Sequence, residues 1–264
     1  MQQKQFFFVM YKIQQPFYQR GDCFPFWKNG DGEQSTHRRK YGVELKIKNY
    51  ENSMSTSKTV ILANGEKPTH PVPLSVLKNA EKIICCDGAI SFLEQQSITP
   101  HIIVGDCDSI SFEQKEKYKT LIKKDENEAY NDLQKALKYC MKNQWNEVVI
   151  LGASGLRDDH FLANIGILMR YANNLSLSMI TNYGVFTPIL KTTDFQSFSG
   201  QQISIFSFSL DTEITYYGLK YPVEKCKFKE LWEGSLNEAV GGEFTVEMEG
   251  KGAVLVYAAF IKHL

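Results

Sequence analysis

None of the six cysteines, at positions 23, 85, 86, 107, 140 and 226, pairs with another at Cys-x-x-Cys spacing. Zinc-ribbon and dithiol redox patterns are therefore excluded. Adjacent Cys85 and Cys86, inside an apolar run, read as small buried hydrophobes, which suits a reducing, cytoplasmic compartment. Charge of either sign is also missing in excess: 30 Lys and Arg balance 30 Asp and Glu. No basic field exists to gather nucleic acid or an anionic membrane, so neither is expected as a partner. No apolar run reaches the roughly 20 residues of a membrane-spanning helix. The apolar run Phe6 to Tyr11 is shorter than the ~7–15 residues of a signal-peptide core. Three enzyme signatures are absent too. There is no G-K-[ST] after a glycine loop, no G-x-G-x-x-G and no G-x-S-x-G elbow, which leaves out P-loop, dinucleotide and serine-hydrolase readings.

What is present divides into three stretches. Residues 1–53 are Gln-rich and aromatic with a turn-rich segment at 28–32 and no sustained periodicity. They read as an extension, either disordered or preceding a true start at Met54, with a docking segment as the alternative. Residues 54–183 alternate short apolar runs with helical patterns. Thr59 to Gly65, Lys82 to Gly88, His101 to Gly105, Glu147 to Gly152 and Leu177 to Thr181 are continuous rather than alternating, as in strands buried on both faces of a parallel sheet. Helices are predicted over about 72–80, 88–96, 130–143 and 159–173. Leu133, Ala136, Leu137 and Cys140 give the third one an apolar face. Residues 184–264 carry strands only, near 186–190, 202–208, 213–217, 244–248 and 253–260. Several of these alternate, as Thr245 to Glu249 does. The expected architecture is an α/β domain with an open, mostly parallel sheet, followed by a smaller all-β, sandwich-like domain.

Acids at strand ends carry the chemistry. Asp87 closes one strand, and Asp106 and Asp108 follow another in Gly105-Asp-Cys-Asp-Ser109. In an open α/β sheet, ligands bind outside the carboxyl ends of the strands. If the chain stays extended there, Asp106 and Asp108 point the same way. Like charges so close are relieved by a cation, and a set of hard oxygen ligands suits Mg²⁺. A turn or helix cap at Asp108 is the simpler alternative.

Two further clusters follow. In Asn127-Glu-Ala-Tyr-Asn-Asp-Leu-Gln-Lys135, Asn131 or Asp132 opens a helix, and Lys135 lies one turn after Asp132. That pair would hold a metal-bound phosphate or simply form an ion pair. In Gly152-Ala-Ser-Gly-Leu-Arg-Asp-Asp-His160, a glycine-containing loop opens a helix and forms a natural anion site. There Arg157 is placed to grip phosphate bidentately, and His160 is read as an acid or as a packing residue.

Taken in order, these clusters resemble the thiamine pyrophosphokinase family. Asp87-Gly-Ala-Ile90 stands for the family's Asp-Gly-Gly-Ala. Pro100 and Gly105-Asp-Cys-Asp-Ser109 match its Pro and Gly-Asp-x-Asp-Ser. Asn127-Glu128, Asp132 and Lys135 stand for Asp-Gln, Asp and Lys. Gly155-Leu-Arg-Asp-Asp-His160 stands for Gly-Gly-Arg-x-Asp-His, and Gly218 to Pro222 with Trp232 to Asn237 resemble its thiamine-side segment. The resemblance spans about residues 57–260. It implies pyrophosphoryl transfer from ATP to the hydroxyl of thiamine, giving thiamine diphosphate and AMP.

By the same resemblance, Asp106, Asp108 and Asp132 would bind Mg²⁺, with Asp87 on the same rim. Glu128, Asn131, Lys135, Arg157, Asp159 and His160 would line the nucleotide and thiamine pocket. Trp232, Ser235 and Asn237 would lie at a thiamine site completed across a homodimer interface. The chain departs from the family at Asn127, Glu128 and Leu156, and Leu156 would restrict φ if a glycine conformation is needed there. The rival expectations are a pyrophosphokinase for another alcohol and a catalytically silent thiamine- or nucleotide-binding protein.

Overall fold

The structure, a computed structural model, describes residues 59–260. The expectation for residues 1–53 and the start at Met54 lie outside them. Four strands that read as continuous apolar runs form the parallel heart of a ten-stranded sheet: β1 (Thr59–Leu62), β2 (Lys82–Cys86), β3 (Ile102–Gly105) and β5 (Glu147–Leu151). β6 (Ser176–Ile180) adds to them in parallel, and the short polar β4 (Ile122–Lys124) forms the edge. Across this half of the sheet the strand order is β6-β5-β1-β2-β3-β4.

Burial on both faces explains the composition of these strands. Val60, Leu62, Ile83, Cys85 and Ile103 pack under helices α1 (Pro71–Lys78), α2 (Ile90–Gln95) and α3 (Phe112–Tyr118). Their neighbours Ile61, Ile84, Cys86, Ile102 and Val104 face helices α4 (Asp132–Lys142) and α5 (Asp158–Tyr171) on the other side. Leu133, Ala136, Leu137 and Cys140 bury the expected face of α4. Cys85 and Cys86 are free and buried, as their apolar setting suggested.

The helix positions define where a ligand belongs. α1 leaves β1 toward one face, and α5 leaves β5 toward the other, although β1 and β5 are adjacent. That divergence opens a crevice at their carboxyl ends, the usual ligand position in an open α/β sheet.

Beyond residue 184 the chain is all strand, as expected. Yet the large sheet continues without a break: β7 (Gly184–Ile189) pairs antiparallel with β6, and β14 (Val254–Ala259), β9 (Gln202–Ser207) and β12 (Gly234–Glu238) follow outward. A second sheet, β11 (Val223–Cys226), β10 (Glu213–Tyr217), β13 (Glu243–Glu249) and β8 (Thr193–Gln196), covers this extension. The sandwich core lies between them. Ile203, Ile205, Val254 and Val256 meet Ile214, Tyr216, Phe244 and Val246, every second residue pointing inward.

α3, β4, β8, β11 and β12 were not foreseen. α3 has a legible start, since Ser111 and Gln114 form a reciprocal capping box. The short strands lack apolar periodicity and form only because a neighbouring strand offers its edge.

Candidate functional site

Gly105, the last residue of β3, lies between two acids. Asp87 follows β2 in a 3₁₀ turn with φ of 38°, a strained value for a non-glycine residue. Its side chain is 4% exposed. Oδ2 accepts the Ser109 N–H at 3.1 Å, while Oδ1 is buried without a hydrogen-bond donor.

Asp132 approaches from the opposite side as the first residue of α4. The helix start is fixed by Asn131, whose Oδ1 accepts the Gln134 N–H at 3.0 Å, and Gln134 Oε1 accepts the Asn131 N–H in return. A Cβ placed on Gly105 would lie 3.0 Å from Asp87 Cβ and 3.4 Å from the Asp132 carboxyl. Glycine is what lets these two acids come together. Burial raises the Asp132 pKa, and the charges of Asp87 and Asp106 raise it further, against the pull of Lys135 at 3.4 Å.

The alternation expected through Asp106 and Asp108 does not occur. The chain leaves β3 and turns at buried Cys107, which has a φ of 68°. Asp106 Oδ1 accepts the Asp108 N–H at 3.0 Å, forming a local turn. Asp106 and Asp108 are both exposed; the Asp106 charge still helps to raise the Asp132 pKa, whereas Asp108 acts electrostatically on Lys124. Among the described residues, no three Asp, Glu, His or Cys side chains form a ready-made metal cage. The donors are nonetheless all carboxylate oxygens, and the unpartnered Asp87 Oδ1 faces no protein donor. This fits a cation such as Mg²⁺, which takes one or two carboxylates and completes its shell with water and phosphate oxygens.

The expected cations are less available than their positions suggested. Lys135 is 5% exposed at its side chain and paired with Asp132, an inward rather than a surface pair. Arg157 is the N-cap residue of α5, where its guanidinium grips the Asp159 carboxylate through two hydrogen bonds and holds its pKa down. Both side chains are exposed, as is His160 in the same first turn. Leu156, just before them, takes the left-handed conformation with φ of 61° although 82% exposed, so the glycine-like backbone is kept without the glycine. Glu128 is exposed in the turn before α4, and Asn127 Oδ1 accepts the Ala129 N–H beside it.

Trp232, Ser235 and Asn237 lie elsewhere. They precede or belong to β12, at the opposite edge of the large sheet, with seven strands between it and β3. Eight inter-strand spacings of about 4.8 Å make a separation of roughly 38 Å. One chain does not bring this cluster to the acidic rim. Ser235 closes a turn onto the Trp232 carbonyl, with its Oγ donating at 2.6 Å. Asn237 is buried and clamps Tyr221, accepting its N–H at 3.1 Å and donating to its carbonyl at 2.8 Å.

Sequence reasoning missed the loop after β1. Asn64 and Lys67 follow a strand end beside the crevice, a signal that the strand-end rule alone would have caught. The Asn64 amide stands 2.8 Å from where a Gly88 Cβ would be, beside Ser109, and Lys67 Nζ donates to Asn64 Oδ1 at 2.8 Å. The neighbouring Gly65 and Glu66 N–H groups donate to Gly152 and Ser154 carbonyls, which joins this loop to the one before α5.

Residues 74–179 match the family model for the thiamin pyrophosphokinase catalytic domain, and residues 184–257 match that for the thiamin pyrophosphokinase substrate-binding domain. Among solved structures, thiamine pyrophosphokinase from Bacillus subtilis is similar at 24% identity and a TM-score of 0.66, covering 76% of this chain and 98% of that one. The enzyme from Candida albicans superposes with a TM-score of 0.67 at 19% identity, over 79% of this chain and 91% of that one. Yeast thiamin pyrophosphokinase gives 0.61 at 17% identity, over 78% and 88%. At these identities the structures speak for the fold, and the two domain matches carry the family. No curated protein sequence matches the chain.

Proposed function

The chain belongs to the thiamine pyrophosphokinase family, with its catalytic and substrate-binding domains in order, and from that premise we propose that the rim around Gly105 transfers pyrophosphate from ATP to thiamine. The observation that carries this site assignment is the approach of Asp87 and Asp132 to Gly105 at the carboxyl ends of the parallel strands. In this reading Asp106, Asp108 and Asp132 would hold Mg²⁺ with Asp87 beside it, and Asp108 would have to swing from its place near Lys124 to join them. The ion, when bound, screens the charge of the ATP phosphates so that an oxygen nucleophile can approach.

The protein's part is positioning and charge placement. The thiamine hydroxyl oxygen forms a bond to the β-phosphorus as the bond from that phosphorus to the bridging oxygen of AMP breaks. The hydroxyl proton passes to a rim carboxylate, for which Asp87 and Asp132 are placed. Burial and like charge raise the Asp132 pKa before a cation binds; a cation on Asp132 would reverse that, which favours Asp87, standing beside the ion, as the acceptor. Arg157, Asp159 and His160, at the start of α5, and Glu128 and Asn131, before α4, line the nucleotide and thiamine pocket in this reading.

Trp232, Ser235 and Asn237 belong to the thiamine side of a second copy. Their distance from the rim along the sheet supports a homodimer with the active site at the interface. No described helix is long and apolar enough to cross a membrane.

The test is turnover of Asp106→Asn and Asp108→Asn across a Mg²⁺ titration. Loss of turnover in both, with unchanged melting temperature, is expected; near-normal activity in both overturns the metal assignment.

A further inference from the structure

The rim is rich in acids, and three of the cations near it are already engaged. Lys135 pairs with Asp132, Lys124 with Glu126 and Arg157 with Asp159. Lys67 differs: among the described residues it has no carboxylate partner, and its ammonium is held by the neutral Asn64 Oδ1 at 2.8 Å. Its place is fixed from behind. The Asn182 side chain, just past the end of β6, donates to the Lys67 carbonyl at 3.0 Å and accepts the N–H groups of Thr69 and His70 at 2.7 and 3.1 Å. Gly65 and Glu66 are tied to the loop after β5. The loop carrying Lys67 is thus a rigid wall between the β1/β5 crevice and the Gly88–Ser109 side of the acidic rim.

We propose that Lys67, steadied by Asn64, is the protein cation that grips the phosphate chain of the nucleotide on the crevice side of the rim and so takes up the charge left on departing AMP. The inference rests on the reading of the site as a pyrophosphokinase. Three considerations carry it. First, a ligand at a switch point binds across the crevice, and Lys67 stands on the wall where that crevice meets the acidic rim, at which the nucleotide's phosphates must pass from one to the other. Second, breaking the bond to the β-phosphorus leaves an added negative charge on the α-phosphate of AMP. The metal-binding acids do not offset that charge, whereas a lysine without a carboxylate partner does. Third, Lys67 is half-buried, and that burial lowers its pKa; an arriving phosphate supplies the counter-charge that no carboxylate provides.

The experiment compares Lys67→Met, Lys67→Gln and Lys67→Arg with the unaltered protein. Direct binding of ATP, AMP and thiamine, each with Mg²⁺, is measured alongside turnover and thermal melting. Lys67→Met and Lys67→Gln are expected to weaken ATP and AMP binding alike, by about tenfold or more, the scale of a hydrogen bond between charged groups. Thiamine affinity and melting temperature stay unchanged, and Lys67→Arg keeps most of the nucleotide affinity. Unchanged ATP and AMP binding overturns the proposal. So does a loss for ATP with none for AMP, which puts the grip on the terminal phosphates. Equal losses for thiamine and nucleotide with a fallen melting temperature would make Lys67 structural. If the unaltered protein binds ATP but makes no thiamine-dependent AMP, the reaction reading fails while the binding comparison still judges Lys67.

Discussion

Replacing Gly105 with alanine probes the geometry of the rim at its narrowest point. The new methyl carbon would sit 3.0 Å from Asp87 Cβ and 3.4 Å from the Asp132 carboxyl, against a comfortable carbon–carbon contact of about 3.5–4.0 Å. Asp87 has little freedom to retreat, because it is buried and holds the Ser109 N–H. The displacement therefore falls partly on Asp132 and on the start of α4. Inserting a methylene-sized group into a packed site costs about 1–3 kcal/mol. At about 2–4 °C per kcal/mol for a chain of this size, the melting temperature should drop by about 2–12 °C.

The functional consequence should be larger than the structural one, since the two carboxylates are pushed apart where they share their environment. Turnover of Gly105→Ala should need more Mg²⁺ for half-maximal rate, and its maximal rate should fall. Circular dichroism melts and a Mg²⁺ titration of AMP release read both effects. Unchanged melting together with an unchanged Mg²⁺ requirement would refute the claim that Gly105 exists to let Asp87 and Asp132 meet.

Other consequences follow from neighbouring residues. Leu156→Gly removes a left-handed leucine that costs roughly 1–2 kcal/mol, offset by about 0.4–1 kcal/mol of chain entropy. The variant should melt a few degrees higher, about 2–4 °C per kcal/mol gained; a lower melting temperature would mean that Leu156 packs on another surface. The raised pKa of Asp132 keeps its proton on to a higher pH than an ordinary aspartate does, and only the ionised form accepts a metal or a proton. Activity should thus fade on acidification above the usual carboxylate range, and added Mg²⁺ should move that limb to lower pH. A limb indifferent to Mg²⁺ would contradict the assignment. Lys135→Met removes the nearby charge that pulls the Asp132 pKa down, so the limb should move further up in pH; a downward shift would refute the pairing.

Much of this was legible because burial writes itself into composition. The strands Val60 to Leu62, Ile83 to Cys86 and Ile102 to Val104 are apolar throughout since helices cover both their faces, and β13 alternates since one face is wet. Asp87 and Asp106 were singled out because strand ends are where an open sheet binds ligands, and Asp132 because it opens a helix one turn before Lys135 and fits the family resemblance. The turn at Cys107 was not legible: nothing in Asp-Cys-Asp marks a left-handed residue, and the backbone turns there because the Cys107 side chain is buried beneath the rim. Lys67 was missed for a different reason. Its importance depends on which strands are neighbours, and the β1–β5 adjacency is a property of topology that no local pattern states. Trp232, Ser235 and Asn237 were grouped with the site by resemblance, and only the strand order reveals how far they stand from it within one chain.

The most direct test of the central claim is AMP release from ATP and Mg²⁺ by the purified protein, with and without thiamine, with thiamine diphosphate identified among the products. The account predicts AMP that depends on thiamine and matches thiamine diphosphate mole for mole. Thiamine binding without thiamine-dependent AMP would contradict it and would leave a silent binder or an enzyme for another alcohol.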